Sequence, residues 1–152
     1  MNASFRILYQ LSLSLWVGGM ACFAFMVTPK IFQELSRDQA AHIVGFLFPL
    51  YYPLLFGITL LALVSYVAIN GKESSRVLVS LLSLAVMING YQWLVLLPHT
   101  TDLITQIGSF ENTPKDNPLR QEFTKVHILA NVLGLAVMIK GVALLACSSL
   151  KK

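Results

Sequence analysis

The chain has 152 residues, of which 56% are hydrophobic and 12% charged, and its net charge at neutral pH is +4. Long stretches carry no charge at all, a composition that excludes a water-soluble domain of this size and makes the bilayer the solvent. Lys and Arg stand singly at the ends of apolar runs and form no basic stripe interleaved with aromatics, which excludes nucleic acid as a partner.

Crossing a hydrocarbon core of about 30 Å takes on the order of 20 apolar helical residues. Four runs meet that length, so the expected fold is all-α: one four-helix integral membrane domain over residues 1–152, with helices at about 5–27, 39–69, 74–97 and 121–149. The lipid bilayer is the expected partner, and the Gly and Ala content suits packing within one chain, a homo-oligomer or a larger membrane complex.

The first run holds Trp16 and the pair Gly18-Gly19. Ser14 and Gly18 are four apart, the small-residue spacing that lets helix backbones approach in lipid, and Pro29 is expected to stop the helix. From Ile7 to Val27 the run exceeds the roughly 7–15 residues of a signal-peptide core, so a retained helix is expected. Cys22 and Cys147 fall in apolar runs at opposite ends of the chain and read as packing residues.

Ser36-Arg37-Asp38-Gln39 has the form of a helix start capped by Ser36 or Asp38. In the helix that follows, Pro49 and Pro53 each remove a backbone donor and clash one turn back, which predicts a kink or break at Pro49 and an oblique first part. Tyr51 and Tyr52 belong to an aromatic belt, and Asn70-Gly71 makes the next turn. Pro98 is expected to end the third helix. His99 to Arg120, with Gly108, Pro114 and Pro118, reads as the longest polar connection, and a short helix over Thr101 to Ile107 is compatible with it.

Orientation follows from the charges. With the amino terminus inside, the inner segments carry Arg6, Lys72, Arg76, Lys151 and Lys152; the outer ones carry Lys30, Arg37, Lys115, Arg120 and Lys125. The counts tie, but the inner set is packed into shorter segments, and six acids (Glu34, Asp38, Asp102, Glu111, Asp116, Glu122) lie on the other side. Both termini are therefore expected in the cytoplasm, with the protein in a cell membrane of the bacterial inner-membrane type.

Polar residues inside apolar runs need an account. His42, His99 and His127 all map to outer helix ends, where neutral imidazoles are ligands for transition metals or haem iron, or simply interfacial residues. In the fourth helix His127, Asn131, Gly134, Met138 and Gly141 are spaced four, three, four, three, a heptad seam expected to face the bundle. There His127 and Asn131 serve as interhelical glue or as a ligand with its orienting amide. Asn89, Gln92 and Trp93 put polar groups in the outer half of the third helix, and Asn89 is placed to meet Asn131. Lys140 shares a face with Leu133, Val137 and Leu144, which reads as a lipid-facing lysine snorkelling to headgroups. No phosphate-binding glycine loop, zinc-protease helix, intramembrane carboxylate pair or nucleophile elbow occurs, so hydrolytic chemistry is not expected.

Trp16-Val17-Gly18-Gly19, Leu47-Phe48-Pro49-Leu50-Tyr51-Tyr52, Asn89 with Trp93, Pro98-His99-Thr100-Thr101, and Leu119-Arg120 with Phe123, His127 and Asn131 resemble the transmembrane-protein-205-like family of small four-helix membrane proteins. The resemblance spans essentially the whole chain. It implies the four-helix fold and, through a distant likeness to copper-resistance D membrane domains and a four-helix haem-binding oxidase of porphyrin synthesis, a copper ion or haem b at membrane histidines. Fold likeness alone does not establish function. The leading expectation is a non-enzymatic protein with a small polar site near its outer face, built from His127, His42, His99, Asn131, Asn89, Trp93 and Gln92, that binds or passes a metal ion, haem or small solute. Gly18, Gly19, Pro49 and Gly134 are the expected structural residues. A haem b redox protein and a purely structural subunit stand as the alternatives.

Overall fold

In hydrocarbon a backbone amide finds no water, so each apolar run closes its own hydrogen bonds as a helix. The computed structural model describes residues 2–150, and among them four long helical rods form. The first joins α1 (Asn2–Cys22) through a π-helical turn (Phe23–Val27) to α2 (Thr28–Glu34); the second is α3 (Arg37–Asn70) with a 3-10 turn (Gly71–Glu73). The third joins α4 (Arg76–Tyr91) through a second π-turn (Gln92–Leu96) to α5 (Leu97–Ile107), and the fourth is α6 (Pro118–Leu150). All four are long and apolar enough to cross a membrane. Large apolar side chains cover the outside of the rods: Ile7, Phe25, Phe46, Leu50, Val77, Met87, Leu94, Val132 and Ile139 are all exposed. The chain is built as a multipass membrane protein.

Each rod packs on its neighbours in sequence, and the fourth returns to the first; among the described residues no close backbone approach crosses the diagonals, first to third and second to fourth. The core sits in the half of the bundle that holds the termini and the Gly71 turn. There Leu13, Trp16, Ala62, Leu82, Ala85, Val137 and Leu144 are buried together.

The rods are longer than expected. Pro29 and Pro98 do not stop their helices, which continue to Glu34 and Ile107, so that His99 lies within a helix. The reason lies just upstream: in each case the proline is the second residue after a π-turn. The widened turn hands the amides of Thr28 and Leu97 to the carbonyls of Phe23 and Gln92, five residues back, and removes the register in which a proline ring collides with the turn before it. Pro49 and Pro53 likewise lie inside an uninterrupted α3, so the break expected at Pro49 does not occur. Where water cannot replace the lost bond, helix persists through proline because no other conformation satisfies the remaining amides.

The start of α3 is set by Ser36 rather than Asp38. The Ser36 hydroxyl accepts from the Gln39 amide (3.3 Å), and the Gln39 side chain accepts from the Ser36 amide (3.1 Å), a reciprocal cap. That frees Asp38 to hold the long connection. Its carboxylate accepts from the Ser109 hydroxyl at 2.6 Å and the Phe110 amide at 2.5 Å, while Arg120 donates to the carbonyls of Phe110 (2.7 Å) and Thr113. Gly108, at φ +71°, makes the turn that brings Ser109 there.

Two expectations about helix faces are corrected. Gly18 and Gly19 are exposed, and a Cβ at either would meet nothing within 4 Å; the tight approach is at Gly141, where a Cβ would lie 2.9 Å from Val17 Cγ2 and 3.2 Å from Trp16 Cε2. On α6 the buried stripe is Val137, Gly141 and Leu144, not a face turned to lipid, and Lys140 at its flank is half-buried. The stripe is rotated from the seam by less than one residue, which leaves His127 and Asn131 on its other flank, both exposed.

Candidate functional site

At the end of the bundle opposite the termini, the first rod leaves the fourth. α1 packs on α6, but beyond Cys22 neither the π-turn nor α2 touches it. Into that gap opens a cavity of about 390 Å³. Its floor is aromatic: Phe23 stacks on Tyr51 (ring centroids 4.4 Å apart), and Phe48 lies 5.2 Å from Tyr52. Across from these the fourth rod contributes His127, Asn131 and Gly134, and the third contributes Gln92 from the first position of its π-turn.

The polar side chains at this cavity are poorly paired within the protein. Gln92 is buried and spends its Nε2 donor on the Ala130 carbonyl at 2.9 Å, tying the third rod to the fourth. Among the described residues its oxygen accepts no bond, and the Asn131 amide, the His127 nitrogens and the hydroxyls of Tyr51 and Tyr52 find no hydrogen-bond partner. An amide left unpaired in hydrocarbon costs a few kcal/mol on the order-of-magnitude scale of polar transfer. The cavity is therefore an apolar room with several hydrogen-bonding groups in want of a partner.

His127 stands where this room meets two others. A second cavity of about 240 Å³, between the start of α3, α5 and α6, and a small one of about 30 Å³ beside Leu96 and Thr100 both reach His127 and Phe48. The imidazole is held by stacking: it lies nearly parallel to Phe123 (5.6 Å, 11°), Phe123 packs edge-on against Phe110 (4.8 Å), and the Arg120 guanidinium lies over Phe110 (5.6 Å). Phe110 is the residue whose amide Asp38 grips. The clasp at the mouth and the ring in the cavity are one structure.

The other expected site residues stand apart from this group. His42 is exposed and lies with Leu35, Asp38, Gln39 and Ile43 on the outside of α3, while His99 pairs with Glu122 at 3.2 Å. The second and fourth rods are diagonal neighbours, which separates His42 from His127. Among the described residues no group of three or more His, Cys, Asp and Glu side chains comes together to hold a metal ion. Asn89 does not reach Asn131: it is fully buried and donates to Thr59 Oγ1 at 3.3 Å, across to the second rod. Trp93 packs half-buried on Phe56 at 5.6 Å, and Gly134 meets only Gln92 Nε2, at an ordinary 3.9 Å. The aromatic floor and the π-turns were missed by sequence reading. Phe48-Pro49-Leu50-Tyr51-Tyr52 was the available signal for the floor.

The profile of a domain of unknown function, DUF4149, matches residues 11–109. The chain belongs to that family. The DUF4149 match runs from within the first rod to the end of the third and takes in Trp16, the aromatic floor, Asn89 and Gln92, but stops short of His127. No curated protein and no solved structure matches. The resemblance to transmembrane-protein-205-like proteins rests on the quoted residues, and none of these comparisons supports it or the likeness to copper-resistance D domains.

Proposed function

We propose that this DUF4149 protein binds a small organic solute within the membrane: a flat ring bearing carbonyl or hydroxyl oxygens, of the quinone or phenol type. The observation that carries the reading is the set of unpaired groups, His127, Asn131 and the Gln92 oxygen, facing stacked aromatics across a cavity of about 390 Å³. The aromatic floor suits the ring, and imidazole and amide suit its oxygens. The gap between the first and fourth rods supplies a sideways entrance for a solute dissolved in lipid. A copper ion is less well supported, because among the described residues no group of three or more His, Cys, Asp and Glu side chains comes together, and His99 is paired with Glu122. With the termini in the cytoplasm the cavity lies in the outer half of the membrane, an orientation supported by the compact basic segments.

The test is calorimetric titration of the purified protein in mild detergent with 2-methyl-1,4-naphthoquinone. Saturable binding is expected, about tenfold weaker in His127→Ala and in Asn131→Leu, with helicity and monodispersity retained, in line with ~0.5–1.5 kcal/mol for one hydrogen bond. Absence of saturable binding, or equal affinity in both variants, overturns the reading. A Soret band or stoichiometric copper that disappears in His127→Ala would replace the solute by haem or metal at the same residue.

A further inference from the structure

A second, larger cavity occupies the other end of the bundle and has different chemistry. It measures about 920 Å³ and opens where all four rods converge near the termini. Its polar lining comes from Arg6, Gln10, Asn70 and Ser75, and its apolar walls include Leu78 and Leu144. The polar groups are partly organised: Asn70 donates to the Tyr66 carbonyl at 2.8 Å, and the Tyr66 hydroxyl accepts from the Ser75 amide at 3.2 Å. Among the described residues Arg6 has no ion-pair partner.

The surrounding charge is one-sided. Among the described residues this end carries Arg6, Lys72 and Arg76 against Glu73 alone, and the sequence adds Lys151 and Lys152 beyond the fourth rod. The opposite end sets Lys30, Arg37, Lys115, Arg120 and Lys125 against six acids. The cationic excess therefore belongs to this end of the chain's spans, and Arg6 is the basic side chain that lines the cavity.

We infer that this cavity is a binding site for one anionic phospholipid, its phosphate at Arg6 with Gln10, Asn70 and Ser75 around the headgroup, and its acyl chains along Leu78 and Leu144. A fork of donors on Arg6 suits a phosphate diester, and the long apolar wall below it suits a chain rather than a free ion. The site is separate from the cavity at His127, and its occupancy does not depend on what binds there.

The experiment uses the full chain in mild detergent. Bound lipid is counted by native mass spectrometry after equilibration with equimolar phosphatidylglycerol and phosphatidylcholine, and thermal unfolding is followed with each lipid or with inorganic phosphate. One phosphatidylglycerol is expected to be retained in preference to phosphatidylcholine. Arg6→Gln should weaken that preference about fivefold, the equivalent of ~1 kcal/mol for one basic side chain at an anionic surface, whereas Arg6→Lys should keep most of it. Lys125→Gln, at the other end, should change nothing. Equal retention of the two lipids, a preference untouched by Arg6→Gln, or stabilisation by inorganic phosphate equal to that by phosphatidylglycerol overturns the inference.

Discussion

Replacing Gly141 by alanine tests how closely the first and fourth rods are pressed together. A Cβ there would lie 2.9 Å from Val17 Cγ2 and 3.2 and 3.4 Å from Trp16 Cε2 and Cδ2. Carbon atoms prefer separations of about 3.5–4.0 Å. The valine methyl can turn away, but the indole is fully buried and has nowhere to go. Overpacking of this kind costs about 1–3 kcal/mol, while any glycine-to-alanine change inside a helix returns up to about 1 kcal/mol through backbone entropy. Gly134→Ala provides the reference that cancels the second effect, because its Cβ would meet only Gln92 Nε2 at 3.9 Å. Gly141→Ala should therefore be less stable than Gly134→Ala by about 1–3 kcal/mol, a shift of roughly 5- to 150-fold in the folding equilibrium. The measurement is reversible unfolding in mixed micelles, with dodecyl sulfate titrated against a mild detergent and helicity as the signal. Adding Val17→Ala to Gly141→Ala should restore part of the loss. Equal stability of the two alanine variants would show that the rods are not in contact here.

Three further outcomes are expected. Ser36→Ala removes the reciprocal cap on α3 and should cost about 1 kcal/mol by the same unfolding measurement, with Ser36→Gly costing only a few tenths. Asp38→Ala takes away both bonds to Ser109 and Phe110, so amides 108–113 should exchange with deuterium markedly faster while those at the centres of the rods are unchanged; unaltered exchange in the connection would mean that Arg120 alone holds it. In a variant with Cys22 and Cys147 replaced, single cysteines at Ser75 and Asn112 should react with a membrane-impermeant thiol reagent from opposite sides, Ser75 from the cytoplasm; the reverse pattern would invert the proposed orientation.

The four spans were legible because length and apolarity alone decide whether a segment crosses a bilayer. The Ser36–Gln39 cap was legible for a local reason, since its partners are three residues apart. Helix faces were not. When lipid replaces water on the outside, a spanning helix is apolar all round, so Val137 and Leu144 in the core look no different in sequence from Val132 and Ile139 outside it. Small residues mislead in the same way: Gly18 faces open space while Gly141 accepts an indole. Polar residues were the better guide. Gln92, His127 and Asn131 line one cavity, but His127 and Asn131 are exposed rather than turned into the bundle and Asn89 pairs with Thr59, because the ring order of the rods sets which helices are neighbours and a single chain carries no trace of it.

Two of the four rods hold a π-turn two residues ahead of a proline, each at the border of the cavity. A π-turn is a helix with one residue more than its length requires. Deleting one residue from Phe23–Val27 would close the turn to ordinary α geometry and leave the helix after it in nearly the same phase, because the widened turn already absorbs the extra residue. Met20 would keep its place in the core, and Thr28 and Phe32 would stay at the cavity. Relatives aligned with a one-residue gap in either segment should therefore keep the faces of the rod on both sides of it and lose only the bulge at the border of the room.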